Sequence, residues 1–339
     1  MGNPDLLWES SKTLNTGLSF SLFNNRLYGE LEVYKRGSSN LIFYVPRPLS
    51  DPISRQYQNI GSMNNTGVDL QLGGDIVRTN DFTWNMVTNW SVVKNKITKM
   101  PEETPEITKG TKRLEVGRDI YSYWLKQYGG VDPSDGAALY VPVEDYVPAA
   151  GSEANLRVID GVSYTTDYNN AKFDYSGTSI PDLMGSVSNT FRYKDFALSF
   201  LINYQRGGKF YGSNYQTLMS VTYGSAFHKD IQDSWTTPGQ VTDIPRIDIN
   251  RTTFFNGTSN RWLVDASYVS FRNLNLSYRL PSELTKKIDV SSVRVYVAGE
   301  NLGLISKRKG MNPTESFDGL NSTRYLPSRI FSLGINVSL

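Results

Sequence analysis

With 339 residues, 39% hydrophobic and 20% charged, the chain is too apolar for a disordered polymer and long enough for two ordinary domains or one large all-β domain. The net charge of +2 is carried by no basic block, which argues against a nucleic-acid partner. Cysteine is absent, which excludes a disulfide scaffold and thiolate metal sites.

No run of about 18 apolar residues occurs, so no helix crosses a membrane, whereas a membrane β-strand needs only roughly 9–11 residues of alternating polarity. The opening "MGNPDLLWES" has neither the basic start nor the apolar stretch of a signal peptide. With 21 Tyr and 28 Gly the composition suits a barrel. A mean hydropathy of −0.40 fits too, because half of each barrel strand faces water.

The elements read as strands in chain order. "GLSFSLF" sets Leu18, Phe20 and Leu22 against Ser19 and Ser21, and "RLYGELEV" sets Leu27, Leu31 and Val33 against Tyr28, Glu30 and Glu32. "TGVDLQLGG" follows, then "FTWNMVTNWSVV", with Phe82, Trp84, Met86, Trp90 and Val92 on one face. "FALSFLINYQ" places Phe196, Leu198, Phe200, Ile202 and Tyr204 together, and no charge falls between Phe196 and Tyr204. "NLNLSYRL", "VRVYVAGE" and the closing "SRIFSLGINVSL", apolar at Phe331, Leu333, Ile335, Val337 and Leu339, complete the set. Helical turns are expected only at Pro281 to Asp289 and between Tyr215 and Gln232.

About eleven strands result, and their connections alternate short and long. Tight turns fall at Asn24-Asn25, Arg78 to Asp81, Gly129 to Gly136, Tyr193 to Asp195 and Pro281 to Asp289. Long ones fall at Gly37 to Asn59, Lys96 to Arg113, Pro142 to Asp182, Gly207 to Arg261 and Asn301 to Pro327. Short periplasmic turns and long extracellular loops characterise outer-membrane barrels, whereas a Greek-key sandwich has no reason to gather its long loops at one end. The expected fold is therefore an all-β, antiparallel transmembrane β-barrel. Counting back from a final strand that ends in the periplasm puts the first strand's start outside the cell, so residues 1–339 read as a fragment of a larger barrel.

"NPDLLWESSKTLNTGLSFSLFNNRLYGELEVY" resembles the SusC/RagA family of TonB-dependent outer-membrane transporters. "NTGVDLQL", "GGVDPSDGAALY", "RYKDFALSFLINYQRGGKFY", "VDASYVSFRNLNLSYRLP" and "VRVYVAGENLGLISKRKGMNPT" are similar to that family's later motifs, in its order. The resemblance implies the C-terminal part of a 22-stranded type of barrel, with the plug domain and the first half of the barrel absent from this chain. It implies import of glycans, oligosaccharides or peptides across the outer membrane of a Gram-negative bacterium of the Bacteroidota. The implied partners are a SusD-like surface lipoprotein, the TonB complex (through the plug), and outer-membrane lipid and lipopolysaccharide. No enzyme activity, cofactor or metal is implied. Leu339 departs from the terminal Phe usual in such barrels. A siderophore-type TonB-dependent receptor and a soluble β-sandwich carbohydrate-binding module are the alternatives.

Candidate site residues are sparse. The sole histidine, His228, is most simply a solvated loop residue, "DPSDG" (Asp132 to Gly136) a periplasmic β-turn rather than a calcium loop, and "PEETPE" (Pro101 to Glu106) a solvated loop. The loop aromatics Tyr121, Tyr123, Trp124, Phe210, Tyr211, Tyr215, Trp235, Phe254 and Phe255 could stack on sugar rings or on a lid protein, or pack the loops onto one another. Glu30, Glu32, Asp69 and Gln71 are the candidates for a wet inner wall.

Overall fold

The computed structural model describes residues 3–47, 50–102, 104–221, 224–320 and 326–338. Its largest element is one antiparallel sheet in which each strand pairs with the next along the chain: β1 (Ser10–Leu22), β2 (Leu27–Ser39), β3 (Ser62–Arg78), β4 (Phe82–Lys99), β5 (Leu183–Tyr193), β6 (Phe196–Arg206), β7 (Tyr268–Arg279), β8 (Ser292–Ser306) and β9 (Ile330–Ser338). Among the described residues β1 and β9 are the two edges and the sheet is not closed.

The wall thus has nine strands where the sequence suggested about eleven. The difference lies at Gly129 to Gly136. Tyr128–Val131 and Ala138–Tyr140 pair with each other and join Val162–Thr165 and Leu156–Ile159 in a separate four-stranded sheet, inside the segment between β4 and β5. Strands of four and three residues cannot cross an apolar layer that takes roughly 9–11, and all three residues of Ala138–Tyr140 are buried. The Gly129 to Gly136 turn, "DPSDG" included, therefore lies at the long-loop end, not the periplasmic-turn end. The loops expected at Lys96 to Arg113 and Pro142 to Asp182 merge into one connection. With that change every long connection leaves one end of the sheet and every short one the other.

The pairing register carries one apolar stripe across the whole sheet. Leu18 lies opposite Leu31, Leu31 opposite Leu70, and Leu70 opposite Trp90. Further along, Leu198 faces Leu276, Leu276 faces Val297, and Val297 faces Leu333. In a soluble protein this stripe would be the core. Here it is bare: Phe331 is 73% and Leu333 76% exposed, with Leu14, Leu18 and Val297 also exposed. The buried hydrophobic clusters lie almost wholly at the long-loop end: Val45, Ile60, Ile97, Met100, Ile107 and Leu114 form one, and Tyr123, Leu125, Tyr211, Met219 and Trp262 another. No second sheet covers the apolar face among the described residues, which removes the β-sandwich alternative. A continuous apolar surface of this extent requires an apolar solvent, and a bilayer supplies it. At the short-turn end, Phe82, Trp84 and Phe191 stack as neighbours and Phe196 lies 4.5 Å from Tyr278, as the aromatic girdle at a membrane interface does.

The opposite face is polar and carries tyrosine rings laid over glycines. A Cβ at Gly67 would sit 2.4 Å from the Tyr34 ring, and one at Gly334 would sit 2.3 Å from that of Tyr296. Each tyrosine therefore lies across the neighbouring strand, where only glycine leaves room. The short turns take a left-handed backbone: Phe23, Asn24 and Asn25 have φ of 54°, 55° and 64°, and Lys194 has φ 50°, a conformation that asparagine tolerates better than most residues. Short helices form at Ser282–Thr285, within one expected region, and at Ser213–Leu218 and Lys229–Asp233, which overlap the two ends of the other; another, unanticipated, forms at Thr252–Asn256. Leu339 lies outside the described residues.

Two substitutions in β7 separate the faces. Leu276→Arg, near the middle of the apolar stripe, is expected to cost about 2–4 kcal/mol of stability in a bilayer. Ser277→Arg, one residue on and facing the polar side, is expected to cost under about 1 kcal/mol. Urea unfolding in lipid vesicles measures both, and equal losses would contradict the assignment of faces.

Candidate functional site

Two regions present chemistry: the polar face of the wall and the assembly of long loops above it. On the wall, Glu32 pairs across to Asp69 and Glu30 to Gln71, so the four wall candidates sit together on β2 and β3. Asn89 and Ser91 on β4 continue the strip, and together they line a hollow of about 320 Å³. Glu30 accepts from the Ser19 hydroxyl at 3.3 Å and Glu32 from the Asn15 amide at 3.4 Å. The arrangement is an acidic surface rich in hydrogen-bond acceptors.

The loops form a packed cap. A second four-stranded sheet orders Phe173–Thr178, Ser122–Lys126, Lys112–Glu115 and Glu106–Lys109, and Lys209–Tyr211 pairs with Leu263–Asp265. Most of the loop aromatics fasten these pieces together. Tyr123 is 0% exposed, and its hydroxyl donates to the Gly319 carbonyl at 2.7 Å, tying the β4–β5 connection to the β8–β9 connection. Tyr211, also buried, donates to Gln216 Oε1 at 2.7 Å. Phe210 packs with Val264, Ala266 and Met311, and Phe255 is buried beside Arg261. These four have almost no surface to offer a ligand in this conformation.

The remaining five are half-buried. Trp124 stacks on Phe173 and lies under the Arg113 guanidinium, 4.2 Å from its ring. Tyr215 donates to Asp230 Oδ2 at 3.0 Å, and Phe254 lies 4.3 Å from Arg251. Trp235 covers Gly136 and donates to the Pro133 carbonyl at 3.3 Å. Tyr121 meets Phe317 edge-on at 5.7 Å.

The freely presented aromatic pair lies elsewhere, on the hairpin of Ile42–Pro46 and Arg55–Asn59. Tyr44 and Tyr57 are 51% and 57% exposed, 4.7 Å apart, with Arg55 alongside. A sequence signal existed, since alternating "LIFYV" and "RQYQN" flank the Pro-containing "PRPLSDP".

The other candidate motifs have structural roles. His228 Nδ1 accepts from the Asp230 N–H at 3.2 Å and caps the short helix Lys229–Asp233, with Tyr215 packed edge-on at 4.8 Å. Asp132 is buried and accepts from the Ser134 N–H and hydroxyl and from Arg157. Burial opposes its charge, yet those hydrogen bonds and the Arg157 guanidinium hold its carboxyl below the usual range. Its oxygens are thereby occupied by the turn and by Arg157. Of "PEETPE", Glu106 pairs with Arg113, and Glu103 lies outside the described residues.

Lys112 is the electrostatic oddity of the cap. Its ammonium lies 3.1 Å from the Tyr123 ring centroid and donates to the Tyr121 carbonyl at 2.6 Å. Burial pushes it down from 10.5 to about 7, against the opposing pull of Asp119 and Asp318.

An open antiparallel wall, apolar outside, polar inside and capped by ordered loops at one end, defines a β-barrel membrane protein. The chain belongs to the family described as "TonB dependent receptor-like, beta-barrel", whose model matches residues 1–302. It is 28% identical over 99% of its length to TonB-dependent receptor P3 of Formosa agariphila, and 24% identical over 99% to TonB-dependent receptor SusC of Bacteroides thetaiotaomicron. The chain covers 34% and 32% of those two proteins, about a third of their length. Among solved structures, that of the RagAB peptide transporter superposes with a TM-score of 0.85 at 27% identity, over 99% of this chain and 36% of that one.

Lys112 sets a pH dependence. Below about pH 7 it is charged in folded and unfolded chains alike. Between about 7 and 10.5 the unfolded chain holds the extra proton, so the cap gains stability as pH rises through that window. Hydrogen exchange of residues 106–126 is expected to slow from pH 7 to 9.5, after correction for intrinsic rates, and Lys112→Met to abolish that gain. A gain that persists in Lys112→Met would assign the effect to another group.

Proposed function

We propose that this chain forms wall and outer loops of an outer-membrane importer of the SusC/RagA type, in a Gram-negative bacterium of the Bacteroidota. The supporting observation is the bare apolar stripe joined to family membership: a sheet that needs lipid outside and water inside. The two unpaired edges of the sheet, and the chain's coverage of about a third of its relatives, support reading it as the C-terminal portion of a larger closed barrel. In that reading a plug gates the lumen, TonB and the proton gradient drive its release, and a SusD-like lipoprotein sits over the loops. The cargo is a glycan, oligosaccharide or peptide. The polar face passes such solutes by exchanging hydrogen bonds with them rather than by chemistry.

The wall contributes a wet, acceptor-rich route. The cap contributes a rigid rim, and the Tyr44–Tyr57 hairpin contributes its exposed ring faces. Uptake of a labelled oligosaccharide by cells carrying the gene, with and without collapse of the proton gradient, tests the reading. Uptake that survives the collapse would sink energy coupling, and recovery of the protein from the soluble fraction would sink the membrane assignment.

Buried and exposed aromatics have separable effects. Tyr44→Ala with Tyr57→Ala is expected to leave barrel stability unchanged and to weaken capture of a ligand or lid by about tenfold. Tyr123→Phe is expected to cost about 1 kcal/mol of cap stability, read by protease sensitivity of the loops. The opposite pattern would return the buried residues to the recognition surface.

A further inference from the structure

The wall's polar face carries Glu30, Glu32 and Asp69 on β2 and β3, and a group of cations lines cavities at the other side of the sheet. A cavity of about 450 Å³ lies where the upper ends of β7 and β8 meet the β8–β9 connection, lined by Arg272, Lys309 and Arg329. A second, of about 250 Å³, shares Arg272 and Thr314 with the first and adds Lys209. Among the described residues no carboxylate lines either cavity. None of the ion pairs among the described residues uses any of these four cations. Asp265, which feels Lys209 and Lys307, lines neither.

Backbone geometry builds the site. Between the pairs Phe271–Gly303 and Asn273–Glu300, β7 contributes the single residue Arg272 and β8 contributes Asn301 and Leu302. The same residue is the irregularity in the pairing of β7 with β6. A bulge re-aims a side chain that regular pairing would alternate. Asn301 takes a left-handed φ of 52°, a conformation uncommon outside glycine. Its amide oxygen accepts from Arg272 Nη1 at 3.1 Å while its amide nitrogen donates to the Ser328 carbonyl at 3.2 Å. The kink therefore orients a guanidinium and fastens it to both walls of the cavity.

We infer that these joined cavities bind the acidic group of an oligosaccharide, a carboxylate or sulfate seated on Arg272 with Lys309 and Arg329 around it. This rests on the importer reading above and names the class of its cargo. A planar guanidinium matches such oxyanions with paired hydrogen bonds, and a volume of several hundred Å³ fits a sugar unit. The uncharged polar lining is hydroxyl and amide, including Ser270, Asn312 and Gln205, the partners that ring hydroxyls take. Tyr268 and Phe317 add aromatic walls to the second cavity.

Calorimetry on the purified, detergent-solubilised protein, with trigalacturonic acid and its neutral methyl ester as probes, tests the inference. The acid is expected to bind about tenfold or more tighter than the ester, with the margin shrinking as salt rises. Arg272→Gln is expected to remove most of that margin, Arg272→Lys part of it, and Lys309→Gln part of it. Lys287→Gln, a cation at the short-turn end, is expected to leave it intact. Equal binding of acid and ester, equal loss in Lys287→Gln, or equally tight binding of an acidic tripeptide would overturn the inference. Displacement of the bound acid by lipopolysaccharide would assign the site to a lipid and overturn it too. Membrane fractionation reads the importer assignment independently, so a failure here is distinguishable from a failure there.

Discussion

The wall keeps no core of its own, and the rest of the structure depends on that. In the nine-stranded sheet the large aliphatic side chains point away from the polar face into what must be lipid. The free energy a soluble protein gains by burying such groups is here gained from the surrounding bilayer. Two things follow. Every backbone group in the crossing strands must be paired, which the continuous strand order from β1 to β9 achieves apart from a few bulges and the two outer edges. Specific packing, in the sense of interlocked buried side chains, is then left to the loops, where clusters around Tyr123, Phe210 and Ile97 do the work that a domain core does elsewhere.

Period-2 alternation made the wall legible from sequence, because it is the only pattern that can divide lipid from water on a pleated strand. "FALSFLINYQ" was readable to within a residue, and "FTWNMVTNWSVV" at its start, although that strand runs on to Lys99. The turn parity was readable for the same reason, since asparagine and lysine-aspartate turns are local. The error at Gly129 to Gly136 is instructive. Its flanking strands pair locally and carry turn chemistry indistinguishable from that of a membrane hairpin. Only their length and burial, a tertiary property, set them in the cap.

The site was far less legible. Composition marks Tyr123, Phe210, Tyr211 and Phe255 as loop aromatics, but nothing local says whether a ring faces inward or outward. For Tyr123 and Phe210 the partners are distant in sequence: the Tyr123 hydroxyl donates to the carbonyl of Gly319, and Phe210 packs with Val264 and Met311. Arg272 was hidden for a different reason. In "SFRNLNLSYRL" it occupies a place that strict alternation gives to neither face, and its direction comes from a bulge shared by two strands. Acidic Glu30, Glu32 and Asp69, by contrast, lie on regular strands, so alternation alone places them on one face.

The bond from Tyr123 to Gly319 joins residues 196 positions apart. Together with the Lys209–Tyr211 strand, whose Tyr211 N–H donates to the same Gly319 carbonyl at 2.7 Å, it makes three long connections share a single anchor. Loops fastened in this way do not vary independently. A length change in one would shift the seat of the other two, because all three meet at the Gly319 carbonyl. The Tyr44–Tyr57 hairpin lies on a fourth connection, outside that anchor, and is seated instead by Val45 and Ile60 in the cluster around Ile97.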